Sequence, residues 1–280
     1  MEPHHGFVAA AGAGFRVPTG IGVSLMPLRH PYEAAMQARS VALATGHPVV
    51  AGFGPGSRDF QTNIMGAPYD SPLTTARTYV QVVRRLLDGE VVRLDGPELR
   101  LNAQLAPAAA APVEVGLGVL RPKMAMVAGE VADVAITWLT PPSYIRDVLA
   151  PALRAGAAKA GRTAPPRIAA MVPVGIDRED VPAETLALAS NAAHLQAPHY
   201  LDMLRQAGIP LAGRDLQSAA RAVVEANAFV RGDLDTVVKR LAEYGEAGVD
   251  EIVLNLTGVH KACGPQAAFS DLKTILGVWA

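Results

Sequence analysis

Short apolar runs rich in β-branched residues recur along this chain, each followed by a longer amphipathic stretch. That alternation limits the fold more than any other feature. The runs are VPTGIGVSL (17–25), PVVAGFG (48–54), PVEVGLGVL (112–120), DVAITWL (133–139), RIAAMVPVGI (167–176) and DEIVLNLTG (250–258). They are almost continuously apolar, as expected of strands buried on both faces of a parallel sheet. Between them the spacing predicts helices. One opens at Pro31, where the missing N–H would be unsatisfied anyway, and runs to about Thr45 before Gly46 stops it. Another places Ala76, Tyr79, Val80, Val83, Leu86 and Leu87 on one face and closes at Asp88-Gly89. A third spans about 233–247, with Leu234, Val237, Val238, Leu241 and Tyr244 inward and Gly248 at its end.

Strand, helix, strand, helix, with no strand-only block, argues for an α/β fold with parallel pairing. A doubly wound sheet and a (β/α)8 barrel both satisfy that order. The doubly wound fold usually carries a G-x-G-x-x-G turn after its first strand. Here GAGFRVPTG (12–20) lacks the last glycine and precedes a strand, so the spacing and chain length favour the barrel. Six strands are legible where a closed barrel needs eight, and the missing one or two fall before residue 17, in what reads as loop and helix. The expectation is one barrel domain over 1–280. Its segment 178–232 is too long for a simple connection and reads as an insertion or lid.

Half of the residues are hydrophobic and 18% are charged, with a formal net charge of −1. That suffices for a sizeable core and leaves no basic run to track a nucleic-acid backbone. The single cysteine, Cys263, excludes an intramolecular disulfide and a cysteine-rich metal site. No apolar run approaches the roughly 20 residues that span a bilayer. GFVAAAGAG near the start is preceded by Glu2, His4 and His5 instead of a cationic segment, so export is not expected and a cytoplasmic location is. There is no H-E-x-x-H and no G-x-S-x-G.

Ligands of parallel α/β folds collect at the carboxyl ends of the strands. The first run ends in Ser24, Leu25, Met26, Pro27, Leu28, Arg29 and His30. The second ends in GFGPGS with Gly52, Gly54, Gly56 and Ser57. The third ends in Gly118, Val119, Leu120, Arg121, Pro122 and Lys123, and the last in Asn255, Thr257, Gly258, His260 and Lys261. Glycines admit a flat ring or phosphate close to backbone, and adjacent cations favour an anion, so the set suits a large, planar, phosphorylated cofactor. Each glycine alone is as readily steric. His30 can simply cap the helix that Pro31 opens, and His47, His194 and His199 read as surface or packing residues.

TGIGVSLMPLRHPYEAAMQARSVALATGHPVVAGFGPGS resembles the third strand, "PLRHP" turn, helix and fourth strand of luciferase-like flavin or deazaflavin oxidoreductases. PVEVGLGVLRPKMAMVAGEVADVAITWLTPP is similar to that family's fifth strand, helix and sixth strand, and GDLDTVVKRLAEYGEAGVDEIVLNL to its last helix and eighth strand. The resemblance implies a (β/α)8 TIM barrel of the bacterial-luciferase type, lacking its first strands here. It also implies reduced coenzyme F420, or alternatively FMN, at the strand ends. It places a non-prolyl cis peptide near Ser24-Leu25 with Met26 following, the ribityl side along Gly54, Gly56 and Ser57, and the phosphate at Gly118, Val119, Leu120, Arg121 and Pro122. The family often has a small residue where this chain has Arg121, which either compensates the phosphate or crowds it. His4 or His5 is the candidate proton donor.

The style of the chain resembles actinobacterial members that use reduced F420 to saturate dehydroamino acids or cyclic imines in modified peptides. An FMN-dependent monooxygenase and a non-catalytic binding barrel are the alternatives. For a small-molecule or peptide substrate, the 178–232 segment would form a wall with His194, His199 and Tyr200 as its polar groups. The resemblance further implies a homodimer, and with no two histidines spaced for zinc no metal is expected.

Overall fold

The computed structural model describes residues 2–96, 99–209, 211 and 215–278. In chain order, helix α1 (Pro3–Gly12) leads to β1 (Thr19–Leu25), α2 (Pro31–Thr45), β2 (Val49–Gly54), α3 (Arg58–Met65) and α4 (Pro72–Leu87). A hairpin of β3 (Val92–Asp95) and β4 (Arg100–Ala103) precedes β5 (Val113–Gly118), α5 (Pro122–Val131) and β6 (Val134–Trp138). The short α6 (Pro142–Tyr144) and a π-helical turn at Ile145–Leu149 run into α7 (Ala150–Lys159) and then β7 (Arg167–Ile176). Last come α8 (Ala183–Asn191), α9 (Pro198–Gln206), α10 (Leu216–Glu225), β8 (Val230–Gly232), α11 (Leu234–Glu246), β9 (Glu251–Asn255), α12 (Thr257–Cys263) and α13 (Pro265–Leu276).

All six expected strands form, and β2, β5, β6 and β7 are mostly buried, as unbroken apolar runs between two covered faces should be. Helix α2 has the predicted bounds. His30 is its N-cap and accepts from the Tyr32 N–H (3.3 Å), Pro31 fills the first position, and Gly46 closes it at φ +72°. Helix α11 is likewise bounded, by Asp233, whose Oδ1 accepts from the Thr236 N–H (2.9 Å), and by Gly248 at φ +90°. Three strands were not legible. The hairpin strands VRLD and RLNA are four residues each, alternating apolar residues with exposed polar ones, and β8 is only three residues long, though wholly buried. Strand β9 departs from expectation in the other direction: its apolar run is half-exposed.

The chain divides into two compact units: Met1–Val119, Lys123–Ile136 and Ala152–Pro166; and Leu120–Pro122, Thr137–Pro151 and Arg167–Ala280. In the first, β1, β2, β5 and the start of β6 pair in parallel in that order. In the second, β7 pairs in parallel with β9 through Ala169–Pro173 and with β8 through Val174–Ile176. Among its described residues the segment 178–232 carries α8, α9 and α10, with a 3-10 turn at His194–Gln196, and its last residues return to the sheet as β8. Its base is closed by Arg231, a 6% exposed side chain whose Nε donates to Asp177 Oδ1 (2.5 Å) and whose Nη2 donates to the Val181 carbonyl (2.7 Å). Among the described residues no strand precedes Thr19, and no helix is long and apolar enough to cross a membrane.

Candidate active site

In the first unit the register of β1 against β2 shifts between Ile21 and Ser24, and the cis peptide there joins Gly22 to Val23, two residues before the expected place. The bulge turns Val23 onto the neighbouring strands. A Cβ on Gly54 would lie 2.8 Å from Val23 Cγ2, and one on Gly118 would lie 3.3 Å from Val23 Cγ1. Gly54 and Gly118 thus make room for Val23. Gly56 answers a different demand, a backbone turn at φ +73°.

Register brings these candidates together. Ser24 pairs with Phe53, Leu25 with Gly54, and Phe53 with Leu117, so Ser24, Leu25, Gly54 and Gly118 share the carboxyl edge of β1, β2 and β5. Met26 is buried beyond Leu25, and the Val119 N–H donates to the Ile136 carbonyl (2.8 Å). Ser57 caps α3, its Oγ accepting from the Phe60 N–H (3.2 Å). Sequence reasoning missed Gln61, which is 1% exposed. Its Nε2 donates to the carbonyls of Pro55 (3.0 Å) and Gly56 (3.1 Å), and its Oε1 accepts from the Tyr69 N–H (3.0 Å). A buried amide on α3 therefore holds the GFGPGS loop, and only its place on a helix facing that loop could have marked it.

Arg29 and His30 have local tasks at the start of α2. Arg29 donates from Nη2 to Glu2 Oε1 (2.7 Å) and from Nε to Gln37 Oε1 (2.9 Å), and its carbonyl accepts from the Tyr79 hydroxyl (3.0 Å). Of the two candidate donors, His4 is buried with Nδ1 on Glu2 Oε1 (2.6 Å), while the His5 side chain is 81% exposed. Burial alone would raise the Glu2 pKa. Hydrogen bonds from His4 and from the His5 N–H, with the charges of His4 and Arg29, outweigh it and hold the carboxyl below its usual value.

The AGEVADV stretch (128–134) has a structural explanation throughout. Glu130 accepts from Arg77 Nε (2.6 Å) and Lys159 Nζ (2.8 Å), joining α4, α5 and α7. Asp133 Oδ2 accepts from the Val115 N–H (2.8 Å) and from Arg84 (3.2 Å). The Arg77 hydrogen bond is the main reason that the Glu130 pKa lies below 4.5, against the opposing effect of burial. Its stabilisation is therefore present above that value and lost as the pH falls through the lower folded-state pKa. Glu130→Gln is expected to cost about 1–2 kcal/mol near neutral pH and much less in acid. Urea unfolding at pH 7 and pH 3.5 checks this, and an equal loss at both would refute it.

In the second unit the polar groups gather around Trp138, at the carboxyl end of β6. The His194 ring centre lies 5.5 Å from that of Trp138 and 4.8 Å from that of Tyr200, edge-on to the latter, and His199 lies 4.8 Å from Tyr200. Arg121 does not stand free for a phosphate. Its Nη1 donates to Asp202 Oδ2 (3.0 Å), which also accepts from Gln206 Nε2 (3.0 Å), and Gln206 Oε1 accepts from the Tyr144 hydroxyl (3.2 Å). Arg121 thereby anchors α9, which carries His199 and Tyr200. Leu120 precedes it and Pro122 starts α5. Burial first, then neighbouring positive charge, lowers the pKa values of His194 and His199, leaving both imidazoles neutral at pH 7.

Comparison with known proteins places this geometry. The luciferase-like monooxygenase family model matches residues 7–251. A 5,10-methylenetetrahydromethanopterin reductase of Methanolobus tindarius is 30% identical over 146 residues, which are 52% of this chain and 44% of that protein. The chain thus aligns with less than half the length of that relative. The solved coenzyme F420-dependent tetrahydromethanopterin reductase of Methanopyrus kandleri superposes with a TM-score of 0.73 at 20% identity, over 99% of this chain and 87% of that one. A monooxygenase of Streptomyces bottropensis superposes with a TM-score of 0.71 at 17% identity, over 100% and 83%. Those structural likenesses define an α/β fold of the luciferase type. The chain belongs to the luciferase-like monooxygenase family.

Proposed function

We propose that this protein is a reductase that uses reduced coenzyme F420 to deliver hydride to an activated C=C or C=N, in a dehydroamino acid or cyclic imine of a peptide-derived molecule. The observation that carries the reading is the edge of β1, β2 and β5. There Val23 packs over Gly54 and Gly118, an aliphatic side chain at the strand ends against which a planar tricyclic ring fits. The solved reductase of Methanopyrus kandleri that the chain resembles is named as coenzyme F420-dependent, which supports the deazaflavin over FMN.

When bound, the reduced deazaflavin supplies the hydride. The chain's own residues do the rest. Ser24, Leu25, Met26, Gly54 and Gly118 would hold the ring, and Gly56, Ser57 and Val119 would border it. The Gln61 hydrogen bonds keep the GFGPGS backbone in one conformation, so the site need not be ordered on binding. His4, oriented by Glu2, is the better placed of the two histidines to carry a proton, since a fixed partner on Nδ1 leaves Nε2 for exchange.

Titration of the protein with oxidised F420 and with FMN, followed by quenching of each fluorophore, tests the assignment. The expected result is F420 binding at least tenfold tighter than FMN. Tighter FMN binding would instead make the protein a flavin monooxygenase, and failure to bind either would remove the cofactor assignment.

A further inference from the structure

The cluster around Trp138 contains an imbalance that the fold does not explain. The Trp138 Nε1–H and the His194 Nδ1 are both buried, and neither has a hydrogen-bond partner in the protein. Buried polar atoms are normally paired, because an unpaired one forfeits its hydration for nothing. Here two such atoms sit on adjacent rings, 5.5 Å between centres. One is an obligatory donor, and the other is an acceptor when the imidazole carries its proton on Nε2. Tyr200 backs His194 edge-on, and α9, which carries Tyr200, is fixed by the Arg121–Asp202–Gln206–Tyr144 chain of hydrogen bonds.

We infer that Trp138 and His194 recognise the edge of an uncharged planar amide, the indole N–H donating to its carbonyl oxygen and His194 Nδ1 accepting from its N–H. A carboxylate would satisfy the indole but present no N–H to the imidazole. An ester or ketone fails for the same reason. The neutral state of both histidines, and the engagement of Arg121 with Asp202, remove the fixed positive charge that an anionic ligand would need. The chemistry has two sources: the lactam or peptide amide of a substrate, or the pyrimidinedione edge of a deazaflavin. The inference deepens the reductase reading and rests on it only for this pair of sources. Because an amide edge is the feature that peptide-derived substrates share, we assign the subsite to the substrate.

The chain has two tryptophans, Trp138 and Trp279, so its amide-selective proton–nitrogen spectrum contains two indole peaks, and Trp138→Phe identifies the one in question. The protein would be titrated with cyclo(Gly-Gly), with its N,N′-dimethyl derivative, and separately with oxidised F420, whose own fluorescence reports binding. The expected result is a downfield shift of the Trp138 indole proton with cyclo(Gly-Gly), and at least tenfold weaker binding of the dimethyl compound. His194→Phe, which keeps a ring in place, should erase that difference. A shift produced by F420 alone would support recognition of an amide edge and move its source to the cofactor. Equal binding of the two cyclic dipeptides, or an unmoved Trp138 peak in every titration, would overturn the inference. F420 quenching with an unmoved peak sinks the inference and leaves the reductase reading intact. A shift with cyclo(Gly-Gly) and no F420 binding does the reverse.

Discussion

Replacing Asp271 by alanine is expected to destabilise the protein by about 3 kcal/mol, the lower end of the range for breaking a buried ion pair from one side. Asp271 lies on α13, its side chain 6% exposed, and three donors converge on it. Arg178 gives Nη2 to Oδ1 (2.6 Å) and Nη1 to Oδ2 (3.1 Å), and the Ile176 N–H gives a third bond to Oδ2 (3.0 Å). One carboxylate thus closes the end of β7, fixes the first turn of the 178–232 segment and docks the last helix. Truncation leaves a backbone N–H without its acceptor and a guanidinium without its counter-charge. Arg178 keeps 24% of its side chain exposed, so water compensates part of the loss, which is why the lower figure applies. Thermal unfolding should show the midpoint reduced by roughly 6–12 °C. The double variant Arg178→Met with Asp271→Leu separates the causes. If the uncompensated cation is the main cost, the pair of apolar residues recovers much of the lost stability. If the double variant is as unstable as Asp271→Ala, the cost lies in the lost backbone bond.

Nothing in the sequence joins Arg178 to Asp271, which stand 93 residues apart, and the same holds for Arg121 and Asp202. That separation explains much of what was and was not legible. Strands buried on both faces announce themselves by unbroken apolar runs, and helices such as α2 and α11 carry their own stop and start residues. Fold class follows from such local signals. The hairpin of β3 and β4 gives each strand only two apolar residues, Val92 and Leu94 opposite Ala103 and Leu101, too few for an alternation to stand out, and β8 is too short for any period to show. For the site, the rule that ligands meet strand ends selected Ser24, Leu25, Gly54 and Gly118, which register does bring side by side. The place of the bulge was missed by two residues, since TGIGVSL reads equally well as an unbroken strand. The glycine-rich ends invited a reading as open space for a ring. In the structure Val23 takes up the space that Gly54 and Gly118 vacate, and it is the surface of Val23 that a ring would meet. Polar roles that depend on distant partners stayed hidden: Gln61 beneath the GFGPGS loop, Glu2 on His4 and Arg29, and the unpaired nitrogens of Trp138 and His194.

The largest loss is expected from a single added methyl group where α5 crosses α7. A Cβ on Gly156 would overlap the Met126 carbonyl oxygen and lie 2.9 Å from the Met126 carbonyl carbon and 3.1 Å from Gly129 Cα. A Cβ on Gly129 would overlap the Leu153 carbonyl oxygen and lie 2.9 Å from the Ala157 nitrogen. The neighbours are all backbone atoms, so no rotamer change relieves the contact and the helices must separate. Alanine is the better helix former by about 1 kcal/mol, but overpacking a tight contact costs about 1–3 kcal/mol and sometimes more. With two backbones obstructing it, Gly156→Ala is placed at about 3 kcal/mol or above. The crossing also carries Glu130 on α5 with its bonds to Arg77 and Lys159, which a separation of the helices would strain. Gly245 supplies the control: it lies within α11 with nothing within 4 Å of its missing Cβ, so Gly245→Ala should be neutral or stabilise by up to about 1 kcal/mol. Urea unfolding of both variants beside the parent decides the matter. Opposite signs at the two sites would establish close backbone contact as the reason for Gly156, whereas equal effects would mean that the crossing of α5 and α7 tolerates the methyl group and is looser than its geometry indicates.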